Sequence, residues 1–353
     1  MSNKIYVTDI RPGQKVEGHF CVASKSLRKT KAGSPFLVLV LGDRTGQIEA
    51  RIWENAQKLN DGFDKGDIIF LEADAVEFNG QCQLKVNSFQ VVEQEDIDPS
   101  HFLPVSSCDL EQAWKTCKKA IKRVKDASLR VVLEEIFQDR RIKEAFLKAP
   151  AAKKMHHAYI GGLLEHSAGL VELSMLLVDK YQYLDRDILL SASLLHDIGK
   201  IRELSWSRPP IDYTDEGRLL GHITLGMEMI ERACLLAKVN PESRKVKALK
   251  HVVLSHHGRL EFGSPVLPMT EEAMVFHMID DLDAKLNFLS ILKNKRENAE
   301  EWGWSDYQRL FERYFFLPPL SETCCVRPKK SSVEESNQKD SQQQPLLWDI
   351  DEP

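Results

Sequence analysis

The apolar residues of this 353-residue chain keep two different periods, and the change between them falls near residue 92. Before it, short runs alternate. Ile48, Ala50 and Ile52 share one face against Gln47, Glu49, Arg51 and Trp53, and Cys82, Leu84 and Val86 oppose Gln81, Gln83, Lys85 and Asn87. Period-two alternation marks a strand buried on one side. Five strands are expected, at Lys15 to Ala23, Phe36 to Leu41, Gln47 to Trp53, Asp67 to Val76 and Gln81 to Val92, with a short helix at Glu54 to Phe63. Asp43-Arg44-Thr45-Gly46 and Asn79-Gly80 carry the turn chemistry that closes two hairpins. After the change the spacing is helical. Asp109 caps a helix over Leu110 to Lys125, Leu129 to Phe137 and Lys143 to Leu147 follow in register, and helices are expected to continue to about Phe316.

Five strands with a helix after the third is the order of an OB barrel. The expected fold is therefore multidomain: a small all-β OB barrel over residues 1–92, a polar, Pro-bearing linker over 93–106, and an all-α domain over 107–320. Residues 321–353 turn to Ser, Gln, Lys and Glu and read as a disordered tail. Within it, residues 345–350 (Pro-Leu-Leu-Trp-Asp-Ile) form a short apolar patch that could dock a partner or the chain's own body. A chain this long exceeds one ordinary core, so two domains suit it.

Composition narrows the function classes. No apolar run approaches the length of about 20 residues that spans a bilayer, so no membrane segment is expected. The start, Met1-Ser2-Asn3-Lys4-Ile5-Tyr6, lacks the apolar region of an export signal. Seven cysteines at irregular spacing suit reduced thiols and a cytoplasmic location. A net charge of −5 excludes a uniformly basic coat, so a polyanion would need a local patch. Lys115, Lys118, Lys119, Lys122, Arg123 and Lys125 form one candidate, continued by Arg140, Arg141, Lys143, Lys148, Lys153 and Lys154; a solvated helix face explains them equally well.

The helical half carries His196-Asp197-Ile198-Gly199-Lys200, flanked at wide intervals by His166, His222, His256, His257 and Asp280. His166, His196 and Asp280 each follow an apolar helical stretch, which would bury one helix face and point the donors into a shared interior. A lone histidine is more often an ordinary core or surface residue. The whole ordered set points instead to a metal-dependent phosphohydrolase.

The order His, His-Asp, His, His-His, Asp resembles the HD-domain superfamily of metal-dependent phosphohydrolases, an all-helical fold. The segments HHAYIGGLLEHS, LLHDIGK, GHI, LSHHG and HMIDDLDAK are similar to those of the YhaM-type 3'-to-5' exoribonucleases, whose members join an OB domain to an HD domain. The resemblance runs from Lys4 to about Pro319 with no departure at the motif positions. It implies removal of nucleoside 5'-monophosphates from the 3' end of single-stranded RNA, with single-stranded DNA as an alternative, and it leaves a homo-oligomer open. Two other readings stand beside it: an HD phosphohydrolase of nucleotides or cyclic dinucleotides, and a non-catalytic nucleic-acid-binding regulator.

Histidine and carboxylate donors without thiolates suit two divalent ions, Mn2+ first, with Fe2+ or Co2+ as alternatives. His166, His196, Asp197 and Asp280 are expected to hold one ion, and Asp197 to bridge to a second on His222 and His256. His257 either joins that second set or contacts phosphate; likeness to two-metal HD enzymes favours its neighbour His256. Asp281 and Asp283 lie on other helix faces than Asp280 and are expected to support ligands rather than bind. Two ions about 3.5–4 Å apart activate a shared water and stabilise the attacking and leaving oxygens at phosphorus. Lys200, one helical turn past Asp197, could neutralise a phosphate oxygen. His156 and His157 could bind phosphate, and Arg208 to Leu219 reads as a loop beside the site. On the barrel, Lys25, Arg28, Lys29 and Lys31 are placed in the first loop, with Arg51, Trp53 and Lys85 facing the groove and Phe36 and Phe78 as further stacking candidates.

Overall fold

The computed structural model describes residues 5–92, 98–153, 155–207, 209–294 and 300–320. Strands β1 (Lys15–Lys29), β2 (Pro35–Asp43), β3 (Gly46–Ile52), β4 (Ile68–Phe78) and β5 (Gln81–Val91) close a barrel in the order β1-β2-β3-β5-β4. The expected helix shrinks to α1 (Ala56–Leu59), between β3 and β4. Only the β3–β5 seam is parallel, from Glu49 opposite Gln83 to Arg51 opposite Lys85. Both hairpin turns form as their residues demand. Asp43 Oδ1 accepts the Thr45 and Gly46 amides, and Asn79 and Gly80 both take the positive φ of a two-residue turn.

Strand β1 runs six residues past its expected end because it serves two partners. Residues 15–21 pair with β4, and after an irregularity between Val22 and Ser24 the strand continues along β2 to Lys29. The bulge breaks the alternation that the sequence shows up to Ala23. Lys25, Arg28 and Lys29 therefore lie on a strand, and of the four basic residues assigned to the first loop only Lys31 sits in the turn. The barrel interior is filled by Phe20, Val22, Leu37, Leu39, Leu41, Ala50, Ile69, Leu71 and Leu84, all fully buried.

The second half of the expected linker is packed rather than free. After a 3-10 turn at Pro99–His101, Phe102 buries against Cys21 and Ile68 of the barrel, and Leu103 against Leu204 and Ile211 of the helical half. Residues 93–97 lie outside the described residues.

Nine helices follow among the described residues: α2 (Leu110–Arg123), α3 (Ala127–Gln138), α4 (Arg140–Lys148), α5 (Gly162–Lys180), α6 (Arg186–Leu195), α7 (Lys200–Glu203), α8 (Asp215–Leu236), α9 (Arg244–Ser255) and α10 (Glu271–Asn294). Asp109, Asp126, Asp139 and Asp185 each accept backbone amides at the start of their helices. Helix α6 is buried on every side from Asp187 to Leu195, so it forms the axis of the domain. The expected loop after Ser207 is largely ordered structure: β7 (Asp212–Tyr213) pairs with β6 (Leu204–Ser205), and Thr214 caps α8 by accepting from the Gly217 amide.

Residues from Leu292 onward form a second compact unit. Its described part beyond Asn294 is a hairpin, β8 (Gly303–Trp304) against β9 (Phe316–Leu317), where helix was expected to about Phe316. Gly303 and the Pro318-Pro319 pair oppose helix, and Trp302, Trp304 and Phe316 pack as extended-strand aromatics. The tail from 321, with its 345–350 patch, and Lys154 lie outside the described residues. No helix among the described residues is long and apolar enough to cross a membrane.

Candidate metal centre and nucleic-acid groove

Six helical elements deliver side chains to one point. His166 comes from α5, His196 and Asp197 from the turn where α6 ends, Lys200 from α7, His222 from α8, His256 and His257 from the end of α9, and His277, Asp280 and Asp283 from α10. Glycine lets the backbones close in. A β carbon on Gly199 would stand 2.0 Å from the His222 carbonyl oxygen, so the turn after Asp197 accepts no side chain there. Helix α8 breaks at Gly221, where φ is 70°, and the amide of His222 turns to donate to Glu203 Oε1 at 2.9 Å.

The tautomers all agree. His166 Nδ1 lies 2.7 Å from Asp283 Oδ2, His196 Nδ1 3.1 Å from the Ala192 carbonyl, and His222 Nδ1 2.9 Å from Glu203 Oε1. His256 Nδ1 lies 2.7 Å from the Val253 carbonyl, and His257 Nδ1 2.8 Å from the Phe262 carbonyl. Facing only acceptors, each Nδ1 carries the proton and donates, which leaves Nε2 as the nitrogen that can coordinate a cation.

The Nε2 atoms of His166, His196, His222 and His256 gather around the two oxygens of Asp197. On one side, Asp197 Oδ2 is 3.3 Å from His196 Nε2 and 3.9 Å from His166 Nε2, with Asp280 Oδ1 3.1 Å from His166 Nε2. On the other, Asp197 Oδ1 is 3.4 Å from His222 Nε2 and 3.6 Å from His256 Nε2. Asp197 Oδ1, His222 Nε2 and His256 Nε2 are buried without any hydrogen-bond partner. Leaving such atoms unpaired costs about 1–3 kcal/mol each. A cation between them would remove that cost, and the spacings are those of ligands sharing one ion. His257 belongs to the same histidine cluster as His222 and His256.

Charge is balanced inside the site. Burial opposes ionisation of Asp197, but Lys200, 2.5 Å away, and His196 hold it well below the usual carboxylate range. Burial likewise opposes charge on His166, yet its bonds to Asp280 and Asp283 outweigh this and push it up to about 10. A bound cation would take the place of that proton. Burial and the neighbouring Lys200 push His156 down to about 3, and burial with His256 and His222 pushes His257 down to about 4.

The site opens into a cavity of about 450 Å³ lined by His156, Asp197, Lys200, His256, His257, Arg259, Phe262, His277, Asp280, Asp281, Ala284 and Lys285. His156 lines the cavity. His157 does not: it is buried, bonded to Asp283 Oδ2 at 2.9 Å and to the Tyr159 hydroxyl, so it positions Asp283 instead of contacting phosphate. Asp283 bonds His166, the support expected of it, whereas Asp281 pairs with Lys285 at the surface. The basic run on α2 does not line this cavity. Glu203, Arg259, Phe262 and Lys285 were not singled out from the sequence. Nothing in their local pattern marks them; only the chain's return brings them to the donors.

On the barrel, a cavity of about 590 Å³ gathers Lys29, Lys31, Phe36, Arg51, Trp53, Phe78 and Lys85. Phe36 and Trp53 stack with centroids 4.7 Å apart, and the Arg51 guanidinium lies 4.9 Å from the Phe78 ring centre. Arg28 is exposed outside that lining. Lys25 is withdrawn from it as well. Its ammonium is held by the Asn60 carbonyl, the Phe63 carbonyl and Asp64, because β1 runs past α1 at this point.

A barrel with a basic aromatic groove, joined to helices that bury a histidine and aspartate cluster, defines an OB-fold protein with an HD-type phosphohydrolase domain. The HD-domain family model matches residues 163–285, and the model for the OB-fold nucleic acid binding domain matches residues 21–92. The chain is 34% identical over 278 residues to the 3'-5' exoribonuclease YhaM of Bacillus subtilis (strain 168), covering 78% of this chain and 87% of that protein. The YhaM of Bacillus pumilus (strain SAFR-032) is also 34% identical, over 292 residues, covering 82% and 90%. That of Halalkalibacterium halodurans is 31% identical over 314 residues, covering 87% and 96%. The chain belongs to the YhaM 3'-5' exoribonuclease family.

Proposed function

We propose that this protein is a divalent-metal-dependent 3'-to-5' exoribonuclease that shortens single-stranded RNA to nucleoside 5'-monophosphates, with single-stranded DNA as a secondary substrate. The observation that carries the reading is the set of four imidazoles, His166, His196, His222 and His256, whose Nδ1 atoms are all engaged while their Nε2 atoms meet the oxygens of Asp197. His166, His196, Asp197 and Asp280 would hold one ion, and Asp197, His222 and His256 a second, with His257 beside it. When bound there, the ions supply Lewis acidity toward a phosphodiester.

The chain's own groups do the rest. Asp283 and Glu203 fix His166 and His222 in the tautomer that offers Nε2. Lys200 keeps Asp197 ionised and lies in the cavity lining where a non-bridging phosphate oxygen would enter. Lys29, Lys31, Arg51, Trp53 and Lys85 in the barrel groove hold the strand by charge and stacking. Manganese is the assigned ion, from a nitrogen and oxygen donor set without thiolate. Free thiols at Cys21, Cys82, Cys108, Cys117 and Cys234 accord with a cytoplasmic location. Neither a homo-oligomer nor a partner for residues 345–350 is needed for this reading.

The test is a manganese-supplemented assay on 5'-labelled single-stranded RNA, with a 3'-blocked copy and Asp197→Ala protein as controls. A ladder shortening from the 3' end, absent in both controls, is expected. Hydrolysis of a nucleotide or cyclic dinucleotide with no cleavage of RNA or DNA would overturn the reading.

A further inference from the structure

The cavity at the metal donors has an aromatic wall that the donor chemistry leaves unused. Phe262 lies on the short 3-10 turn Leu260–Phe262 between α9 and α10. It lines the cavity together with Asp197, His256, His257 and Asp280, and yet it is 61% exposed. Its exposed face, beside a cavity lined by cations and donors, is available for a flat apolar group to stack on.

The turn is held in place by the site itself. His257 donates from Nδ1 to the Phe262 carbonyl at 2.8 Å, tying the turn to the residue that follows His256. Gly263 closes the turn at φ 86° and Gly258 opens it at φ 76°. A β carbon on Gly258 would stand 2.1 Å from the His277 ring, so the entry to the turn is packed against another wall of the cavity. The Arg259 guanidinium lies 5.8 Å from the Phe262 ring centre, which places a cation beside the aromatic face.

Resting on the exoribonuclease reading, we infer that Phe262 stacks on the 3'-terminal nucleobase while Arg259 and Lys285 attend the adjoining phosphates. Every nucleobase has a π face, so a stacking wall grips the last nucleotide of any sequence, as stepwise removal requires. Among the described residues, nothing else lining this cavity is aromatic except the imidazoles of His156, His256, His257 and His277, and His256 and His257 are engaged with the donor cluster.

The test uses full-length enzyme with manganese and two 5'-labelled RNAs that differ only at the 3' end, one ending in an ordinary nucleotide and one in an abasic ribose. Wild type is expected to remove the ordinary nucleotide with a KM about tenfold lower than the abasic one, from the usual strength of base–aromatic stacking. Phe262→Ala should raise KM on the ordinary end by a similar factor, leave kcat within about twofold, and erase the difference between the two RNAs. Phe262→Tyr should restore it. Equal discrimination by wild type and Phe262→Ala, or none by wild type, overturns the stacking inference alone. Failure of wild type to shorten either RNA overturns the exoribonuclease reading, and the inference with it.

Discussion

The barrel and the helical domain use the same materials, cations and rings, in opposite states. On the barrel, Trp53 and Phe78 are 44% and 47% exposed, and the groove is an open surface. In the helical domain, His166, His196, Asp197 and His256 are buried, and the cluster is held by neighbouring groups: Asp283 orients His166, Glu203 orients His222, and Lys200 holds Asp197 charged. Open surfaces lose function one residue at a time. Buried polar networks lose it together, because a half-satisfied network is worse than none.

The largest effect expected from that contrast is at Gly199. With the His222 carbonyl oxygen 2.0 Å from a β carbon, Gly199→Ala must push α8 away, and it should cost more than about 3 kcal/mol of stability as well as activity. Thermal unfolding measures it; a wild-type melting temperature would show that the turn and α8 are not locked together. Next comes Asp283→Asn. Removing the charge that His166 and His157 share should weaken metal binding about 10- to 100-fold, as lost ligand support usually does, while RNA binding by the barrel stays unchanged. Titration with manganese and a separate RNA-binding curve distinguish the two, and a parallel loss of both would break the contrast between halves.

Acid should also strike the two halves unequally. In metal-free protein, His156 and His257 titrate near 3 and 4, below the value of about 6.5 they regain on unfolding. The unfolded state then binds more protons below pH 6.5, so stability falls as pH drops. Each should cost on the order of 2 kcal/mol by pH 5. His166 works in the opposite sense, but its contribution is complete below pH 6.5 and adds no further loss. Hydrogen exchange at pH 7 and pH 5 should show the helices around the site opening before the barrel strands; simultaneous opening would refute this.

Smaller still is Trp53→Ala, which removes one stacking partner and should weaken binding of a long RNA about tenfold with turnover of a dinucleotide unchanged. Equal loss on both substrates would make Trp53 structural. The smallest is Arg28→Ala. Lying outside the groove lining, Arg28 should change RNA affinity less than twofold, and a lower salt dependence of binding in that variant would restore it to the path of the strand.

The strand pattern, both hairpin turns and the Asp109 cap were legible because each rests on residues within a few positions of one another. The cluster of candidate donors was legible for a different reason: histidine and aspartate at apolar helix edges have few other uses in such numbers. The extent of β1 was not, since a bulge shifts the face of every residue after it, and so Lys25 and Arg28 were placed on a loop when they lie on a strand. His157 was read as a phosphate contact because adjacency to His156 suggested a shared role, yet neighbours in a turn point to different sides.

The amino-acid order alone determined the two-part architecture and the residue types offered as donors, because periodicity and side-chain identity are local properties. Tertiary structure decided which groups serve that chemistry from behind. Glu203 and Asp283 acquire their partners 19 and 117 residues away in the chain, and Phe262 meets the cavity only because α9 and α10 fold back upon α5 and α6. Proximity of that kind is created by packing, and a one-dimensional pattern holds no record of it.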